Sequence, residues 1–262
     1  MLKLNGAPIK IERYPDETLR LNIAVPDGEV VLEWLYEKDE EMVLFFIAKH
    51  LKEQDKTRKI TLYMPYIPHA RMDRVKSAGE VFTLKYFAEL INSLEFDKVI
   101  VRDAHSSVSL SMINNIEQEP IAKDVKQLIK ELLNPKKDII FYPDEGSCKR
   151  YRGLMDFPHA FGRKNRNWET GQILGLDICG QLPNVPFNVL IIDDISSYGG
   201  TFFHSAKKLK ELGAAKIYLY VTHCENSVLN GELIGSGLIE KIYTTKSIFT
   251  GEHPLITVMG GN

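Results

Sequence analysis

Two kinds of segment alternate along this chain. Short unbroken apolar runs have the look of strands buried on both faces. They occur within Lys59–Met64, Val99–Arg102, Ile139–Tyr142, Val189–Asp193 and Ile217–Thr222. Between them lie segments with helical spacing. Glu41–Gln54 predicts an amphipathic helix, and Val81, Leu84, Ala88, Ile91 and Glu95 mark the stripe of another. Asp124–Leu133 predicts a short helix ended by Asn134-Pro135, and Thr201–Leu212 one stopped by Gly213. Strand and helix in alternation give the α/β class, with mostly parallel sheets flanked by helices. A division near residue 118 yields two halves of similar size, 1–118 and 119–262. No short repeat, low-complexity tract or long linker interrupts them.

Unusual polar residues gather after the strands. PYIPHARMDR follows Lys59–Met64, DAHS follows Val99–Arg102, PDEGSCKR follows Ile139–Tyr142, and DDISSYGGT follows the strand at Val189. Open α/β sheets bind ligands beyond the carboxyl ends of their strands, so these motifs line one composite site or two neighbouring ones. The last is the most informative. Asp193 and Asp194 emerge at a strand end, Gly199 and Gly200 permit close backbone approach, and Thr201 opens a helix whose N–H groups favour an anion. Paired carboxylates beside a phosphate cradle suit a ligand with vicinal hydroxyls and a phosphate, such as ribose phosphate. The plainer alternative is a βα turn with two solvated aspartates.

The other motifs fit the same chemistry. If the loop turns helically at Arg71, Asp73 and Arg74, two guanidiniums share a face and grip a polyphosphate. His105 at a strand end meets a metal-bound phosphate or the metal itself. Asp144 and Glu145 hold Mg²⁺ through water, since Mg²⁺ favours few carboxylates plus substrate oxygens. Phe161–Gln172 reads as a polar loop without a period, and its Arg163, Lys164 and Arg166 suit a lid over phosphates. Each has an ordinary alternative as a charged turn, a loop histidine or a solvated basic face.

Composition narrows the class. A net charge of −2 gives no sign of nucleic acid or an acidic membrane as a bulk partner. The longest dense apolar stretch, Met42–Ala48, is too short to span a bilayer, and the first residues lack the apolar core of a signal peptide. Cys148, Cys179 and Cys224 show no metal-ligand spacing, and an odd number fits a reducing, cytoplasmic setting. Cys148 reads as buried filler.

With these motifs in order, the chain from about Arg13 to about Ile248 resembles the ribose-phosphate pyrophosphokinase (phosphoribosyl diphosphate synthetase) family. Pro65-Tyr66, Ala70, Arg71, Asp73 and Arg74 match one family element. Asp103-Ala104-His105, Pro143-Asp144-Glu145-Gly146 with Lys149-Arg150, and the pair Lys164 and Arg166 match others. Asp193-Asp194 with Gly199-Gly200-Thr201, and then Thr222-His223, complete the series. The resemblance implies two phosphoribosyltransferase-like domains, Mg²⁺, ATP as donor, and a homo-oligomer, dimer or hexamer. It implies transfer of a diphosphoryl group from ATP to the anomeric hydroxyl of ribose 5-phosphate, releasing AMP. On that basis Tyr14, Asp16, Arg71, Asp73 and Arg74 serve ATP, and His105 and Asp144 serve Mg²⁺ or its waters. Lys164 and Arg166, with His105, are catalytic. Asp144, Asp193 and Asp194 hold the sugar, and Ser197, Tyr198, Gly199, Gly200 and Thr201 its phosphate.

The sequence departs from the family at particular places. Ser197 and Tyr198 stand where the phosphate loop carries an acid and a small hydroxyl residue, Glu145 and Ser147 replace small residues, and Glu17 replaces a glycine. Tyr198 either closes the terminal phosphate pocket or stacks on something attached beyond it. The second option makes a 5-substituted ribose phosphate the acceptor, for which ADP-ribose qualifies, giving ADP-ribose pyrophosphate in NAD-related metabolism. Two other classes compete: a type I phosphoribosyltransferase, which consumes phosphoribosyl diphosphate, and a non-catalytic regulatory paralogue.

Overall fold

A computed structural model describes residues 1–166, 173–184 and 186–260 of the chain. The chain folds as two compact units, Met1–Pro120 and Ile121–Asn262.

In the first unit, β1 (Leu2–Leu4), β2 (Ala7–Pro8), β5 (Val30–Trp34), β6 (Ile60–Tyr63), β7 (Lys98–Arg102) and β8 (Ile116–Glu119) form one sheet, while β3 (Ile11–Arg13) and β4 (Leu19–Leu21) pair as a separate hairpin. The sheet order is β2-β1-β5-β6-β7-β8, with β5 to β8 parallel and β1 and β2 antiparallel. Helices α1 (Glu41–Gln54), α2 (Thr83–Asn92) and α3 (Ser107–Met112) connect the parallel strands. α1 buries Val43, Leu44, Ile47, Ala48 and Leu51, the i, i+4 stripe its sequence predicts. α2 is shorter than its predicted stripe. Leu84, Phe87, Ala88 and Ile91 are buried, but Val81 is exposed before the helix starts. Glu95 lies beyond its end with φ +54°, a left-handed turn that breaks the repeat.

The second unit opens with α4 (Ala122–Leu132), followed by β9 (Ile139–Tyr142), α5 (Glu145–Tyr151), β10 (His159–Arg166) and β11 (Ile173–Cys179). Then come β12 (Phe187–Ser196), α6 (Gly200–Glu211), β13 (Ala214–Cys224), a 3₁₀ turn (Asn226–Asn230), α7 (Glu232–Gly235), β14 (Lys241–Thr245) and β15 (Ile256–Met259). Sheet order is β11-β10-β9-β12-β13-β14-β15, parallel except for β11. Both faces are covered, which explains the unbroken apolar run in β12. Val189 and Ile191 pack with Phe202, Ala206 and Leu209 of α6, while Leu190 and Ile192 face Val125, Leu128, Cys148 and Tyr151 of α4 and α5.

The Phe161–Gln172 segment differs from its reading as a loop. Residues 161–166 continue β10, and residues 167–172 lie outside the described residues. Tyr142, the last residue of β9, pairs with Phe161, and from Gly162 onward β10 is paired with β11 alone. Beyond that point the apolar positions of the ribbon fall on β11, whose Leu176 and Ile178 pack against the core, so β10 itself carries no alternating apolar signal. Among the described residues, no helix is long and apolar enough to cross a membrane.

Candidate active site

The parallel order of the second sheet reverses at one place. After β9 the chain steps to β10 on one side, and β12 returns on the other side of β9. The crevice beyond the carboxyl ends of β9 and β12 is therefore the topological switch point where open α/β sheets bind ligands. Asp144 follows β9, and Asp193 and Asp194 lie near the end of β12. Topology alone thus brings three carboxylates to one place.

Each is held differently. Asp144 caps α5: its Oδ1 accepts from Ser147 N at 3.0 Å, and Ser147 Oγ accepts from Asp144 N at 3.3 Å. Ser147, a departure from the similar family, is buried and earns its place in this reciprocal cap. Asp194 is buried, and Arg150 Nη1 lies 3.1 Å from its Oδ1. The same guanidinium sits over the Tyr151 ring, 5.4 Å from its centroid, and donates to Tyr151 OH at 3.3 Å. Asp193 Oδ1 accepts from Asp194 N at 3.0 Å. Burial, then the neighbouring charges of Asp194 and Asp144, push the Asp193 carboxyl well above the ordinary carboxylate range. Lys149, by contrast, makes an exposed i, i+4 pair with Glu145 at 3.0 Å.

Gly162 explains how β10 approaches this crevice. A Cβ there would stand 2.7 Å from the Pro143 carbonyl oxygen and 2.8 Å from Leu176 Cδ1. Only glycine lets the strand lie against the backbone that carries Asp144. Gly162→Ala is expected to displace the Pro143-Asp144 turn and to cut turnover about tenfold or more while the unit stays folded. Steady-state rates beside a circular dichroism melt check this, and an unchanged rate would show the turn to be indifferent.

The phosphate loop lies beyond β12. Ser197 is half-buried, Tyr198 is 62% exposed, and Gly199 adopts φ +80° at the start of α6. That left-handed conformation is why glycine stands there. No side chain caps α6, so the first-turn amides are left for an anion. At the neighbouring strand end, buried His223 has its Nδ1 3.0 Å from Ser247 Oγ, and the Thr222 carbonyl accepts from Thr245 Oγ1 at 2.8 Å. Cys148 is buried, and burial raises its thiol pKa, which suits filler rather than a nucleophile.

The remaining sequence-predicted residues belong to the first unit. Arg71, Asp73 and Arg74 follow β6, and His105 follows the adjacent parallel strand β7. Buried Met64, Ile67 and Ala70 anchor the first of these loops. Residues 71–74 do not make a helical turn. A turn closes instead from Met72 N to His69 O at 2.9 Å, with His69 at φ +62°, so Arg71 and Arg74 do not share a helix face. Arg74 pairs with its neighbour, Nε 3.3 Å from Asp73 Oδ1. Beside His105, buried Asp103 holds φ +45°, an uncommon conformation of the kind found at ligand sites.

Tyr14 and Asp16 occupy the β3–β4 turn. Tyr14 is half exposed, with Arg20 near its ring, and Asp16 Oδ1 accepts from Thr18 N at 3.1 Å and Thr18 Oγ1 at 2.6 Å. Those bonds lower the Asp16 pKa. Glu17 adopts φ +65°, the region that favours the glycine it replaces. Lys164 and Arg166 fall on β10, and their side chains lie outside the described residues. Arg150, Gly162 and Glu225 carry site geometry that the motifs did not assign. An acid immediately after an apolar strand, as at Glu225, was the available signal.

No family model matches the chain. Curated relatives do. A chloroplastic ribose-phosphate pyrophosphokinase 2 from rice is 29% identical over 239 residues, covering 84% of this chain but 57% of the rice protein. The ribose-phosphate pyrophosphokinase of Hyphomonas neptunium is 28% identical over 245 residues, covering 89% of this chain and 76% of its own. That of Sulfurisphaera tokodaii is 27% identical over 266 residues, covering 94% and 87%. Among solved structures, phosphoribosylpyrophosphate synthetase from Mycobacterium smegmatis superimposes with a TM-score of 0.77 at 19% identity, over 96% of this chain and 85% of that one. The fold is that α/β architecture, and over most of its length the chain is similar in sequence to proteins named ribose-phosphate pyrophosphokinase.

Proposed function

We propose that the protein transfers the diphosphoryl group of ATP to the anomeric hydroxyl of a ribose phosphate. The observation that carries this reading is the switch-point crevice, where Asp144, Asp193 and Asp194 adjoin the uncapped start of α6. The names of the relatives supply the reaction class. The hydroxyl oxygen attacks the β-phosphorus, the bond from that phosphorus to the α,β-bridging oxygen breaks, AMP leaves carrying that oxygen, and the hydroxyl proton passes to solvent. Asp193 and Asp194 accept from the ribose hydroxyls, and the amides of Gly199–Thr201 receive the 5-phosphate. Tyr14, Asp16, Arg71, Asp73 and Arg74 bind ATP. Lys164, Arg166 and His105 face the transferring group.

Mg²⁺ fits the donors. Among the described residues no group of three or more His, Cys, Asp or Glu is placed to hold a metal outright. Mg²⁺ needs no such cage, because it takes one or two carboxylates, waters and substrate phosphates. Asp144 and His105 are its proposed partners, and when bound it screens the phosphate charge. We place the enzyme in the cytoplasm as a dimer or hexamer. The domains, 1–118 for ATP and 119–262 for the sugar, divide the substrates.

Exposure of Tyr198 at the loop tip favours a second acceptor, a 5-substituted ribose phosphate such as ADP-ribose, whose extra ring would find an aromatic platform. One assay decides both points. Mg·ATP is incubated with ribose 5-phosphate or ADP-ribose, and products are identified by mass. AMP with a diphosphorylated sugar is expected, the faster acceptor naming the substrate. AMP from neither sinks the reaction and leaves a regulatory paralogue or a phosphoribosyltransferase.

A further inference from the structure

Past Cys224 at the end of β13 the chain folds back against the phosphate loop. Glu225 N donates to Ser196 O at 2.8 Å. Ser197 Oγ donates to Glu225 Oε2, and Ser227 Oγ donates to the same oxygen at 3.0 Å. Further on, a Cβ at Gly231 would stand 1.8 Å from the Tyr198 carbonyl oxygen, so glycine alone lets this backbone lie against the loop. The Leu233 side chain packs on Gly199, where a Cβ would come within 3.0 Å of it. The whole segment is shaped to the back of the loop, and Glu225 is its charged member.

The arrangement answers a departure noted in the sequence. Ser197 stands where the similar family has an acid. A serine hydroxyl rotates freely and sets nothing by itself. Here a carboxylate arrives from the end of the next strand and takes the hydroxyl protons of Ser197 and Ser227 on one oxygen. Such charge-assisted bonds are shorter and roughly twice as strong as neutral ones. They fix the residue that leads into Tyr198 and Gly199, and hence the direction of the α6 amides.

We propose that Glu225 is the positioning residue of this loop, supplying in space the acid the loop lacks in sequence. The inference rests on reading the loop as the sugar-phosphate cradle. Glu225 does not touch the reacting atoms. Its loss therefore weakens the acceptor and leaves ATP and the chemical step alone.

The test is a charge-relocation cycle on the full chain. Glu225→Ala is expected to raise the acceptor KM about tenfold, with kcat and the ATP KM within about twofold of wild type. Glu225→Gln, whose amide oxygen still accepts from both serines, is expected to lose only about threefold. Ser197→Asp alone sets two carboxylates face to face and weakens the acceptor. Ser197→Asp combined with Glu225→Ala is expected to recover most of the loss, because the acid has only moved. An unchanged acceptor KM in Glu225→Ala, equal effects on both substrates, or additive losses in the double variant would overturn the proposal.

Calorimetric binding of ribose 5-phosphate without ATP reads the same cycle independently of turnover. Wild-type binding that weakens in Glu225→Ala and returns in the double variant supports the positioning role even where AMP is never formed, in which case only the reaction fails. Wild-type protein that binds neither ribose 5-phosphate nor inorganic phosphate overturns both.

Discussion

Replacing Arg150 by methionine is expected to lower stability more than any other single change around the crevice. Methionine keeps much of the apolar stem that packs near Tyr151 but removes the guanidinium 3.1 Å from Asp194 Oδ1. The Asp194 side chain is 5% exposed, so little water replaces the guanidinium. Breaking a buried pair from one side costs about 3–5 kcal/mol. Arg150 retains 28% of its side-chain exposure, and solvent screening brings the expectation to about 2–4 kcal/mol. For a unit of this size that is a fall in Tm of roughly 5–12 °C. The loss is electrostatic rather than steric, so Arg150→Met with Asp194→Asn should recover most of it. Differential scanning calorimetry of the two single variants and the double variant decides. A Tm for Arg150→Met within about 1 °C of wild type would mean that Asp194 does not depend on this partner.

The same crevice shows what a sequence can and cannot reveal. β12 was legible because helices cover both of its faces, so every residue from Val189 to Ile192 had to be apolar. Asp193, Asp194 and the glycines stood out because adjacent carboxylates are unusual at the end of an apolar strand and glycine is the residue that takes the positive φ at Gly199 without strain. The Arg150–Asp194 pair was not legible: Lys149 and Arg150 are adjacent basic residues, and only the α5 phase sends one to a surface pair and the other to the buried acid. Glu225 meets Ser197 across 28 residues through the parallel register of β12 and β13, which no local pattern encodes. β10 failed in the opposite sense, since beyond Phe161 its own residues are glycine and polar ones and the core-packed Leu176 and Ile178 belong to its partner β11. Glu95 extended a helical stripe on paper and ended it in space, because a backbone reversal costs a glutamate little enough for tertiary contacts to impose it.

Asp193→Asn is expected to separate function from stability. Burial, Asp194 and Asp144 all oppose a charge on Asp193, so its pKa in the folded state lies well above its value in the unfolded chain. The folded state therefore binds more protons than the unfolded state between those two values. The contribution of this group to stability is greatest below its unfolded pKa and is lost as pH rises toward and through the folded one. At neutral pH the wild-type protein bears that cost, and asparagine, nearly isosteric and neutral, does not. The variant should melt roughly 2–6 °C higher at pH 7. Its advantage should shrink as the pH falls toward 4, where wild-type Asp193 is itself protonated. Activity should move the other way, down about 10–100-fold, because an amide accepts less strongly from a ribose hydroxyl than a carboxylate does. Melts across pH beside acceptor kinetics test the pair of effects together. A variant equally stable at every pH would show that the three carboxylates do not strain the site. One both more stable and fully active would remove Asp193 from sugar binding. The expected outcome, a site that weakens its own fold where it must hold a sugar, gives a physical reason for two adjacent aspartates at the end of a buried strand.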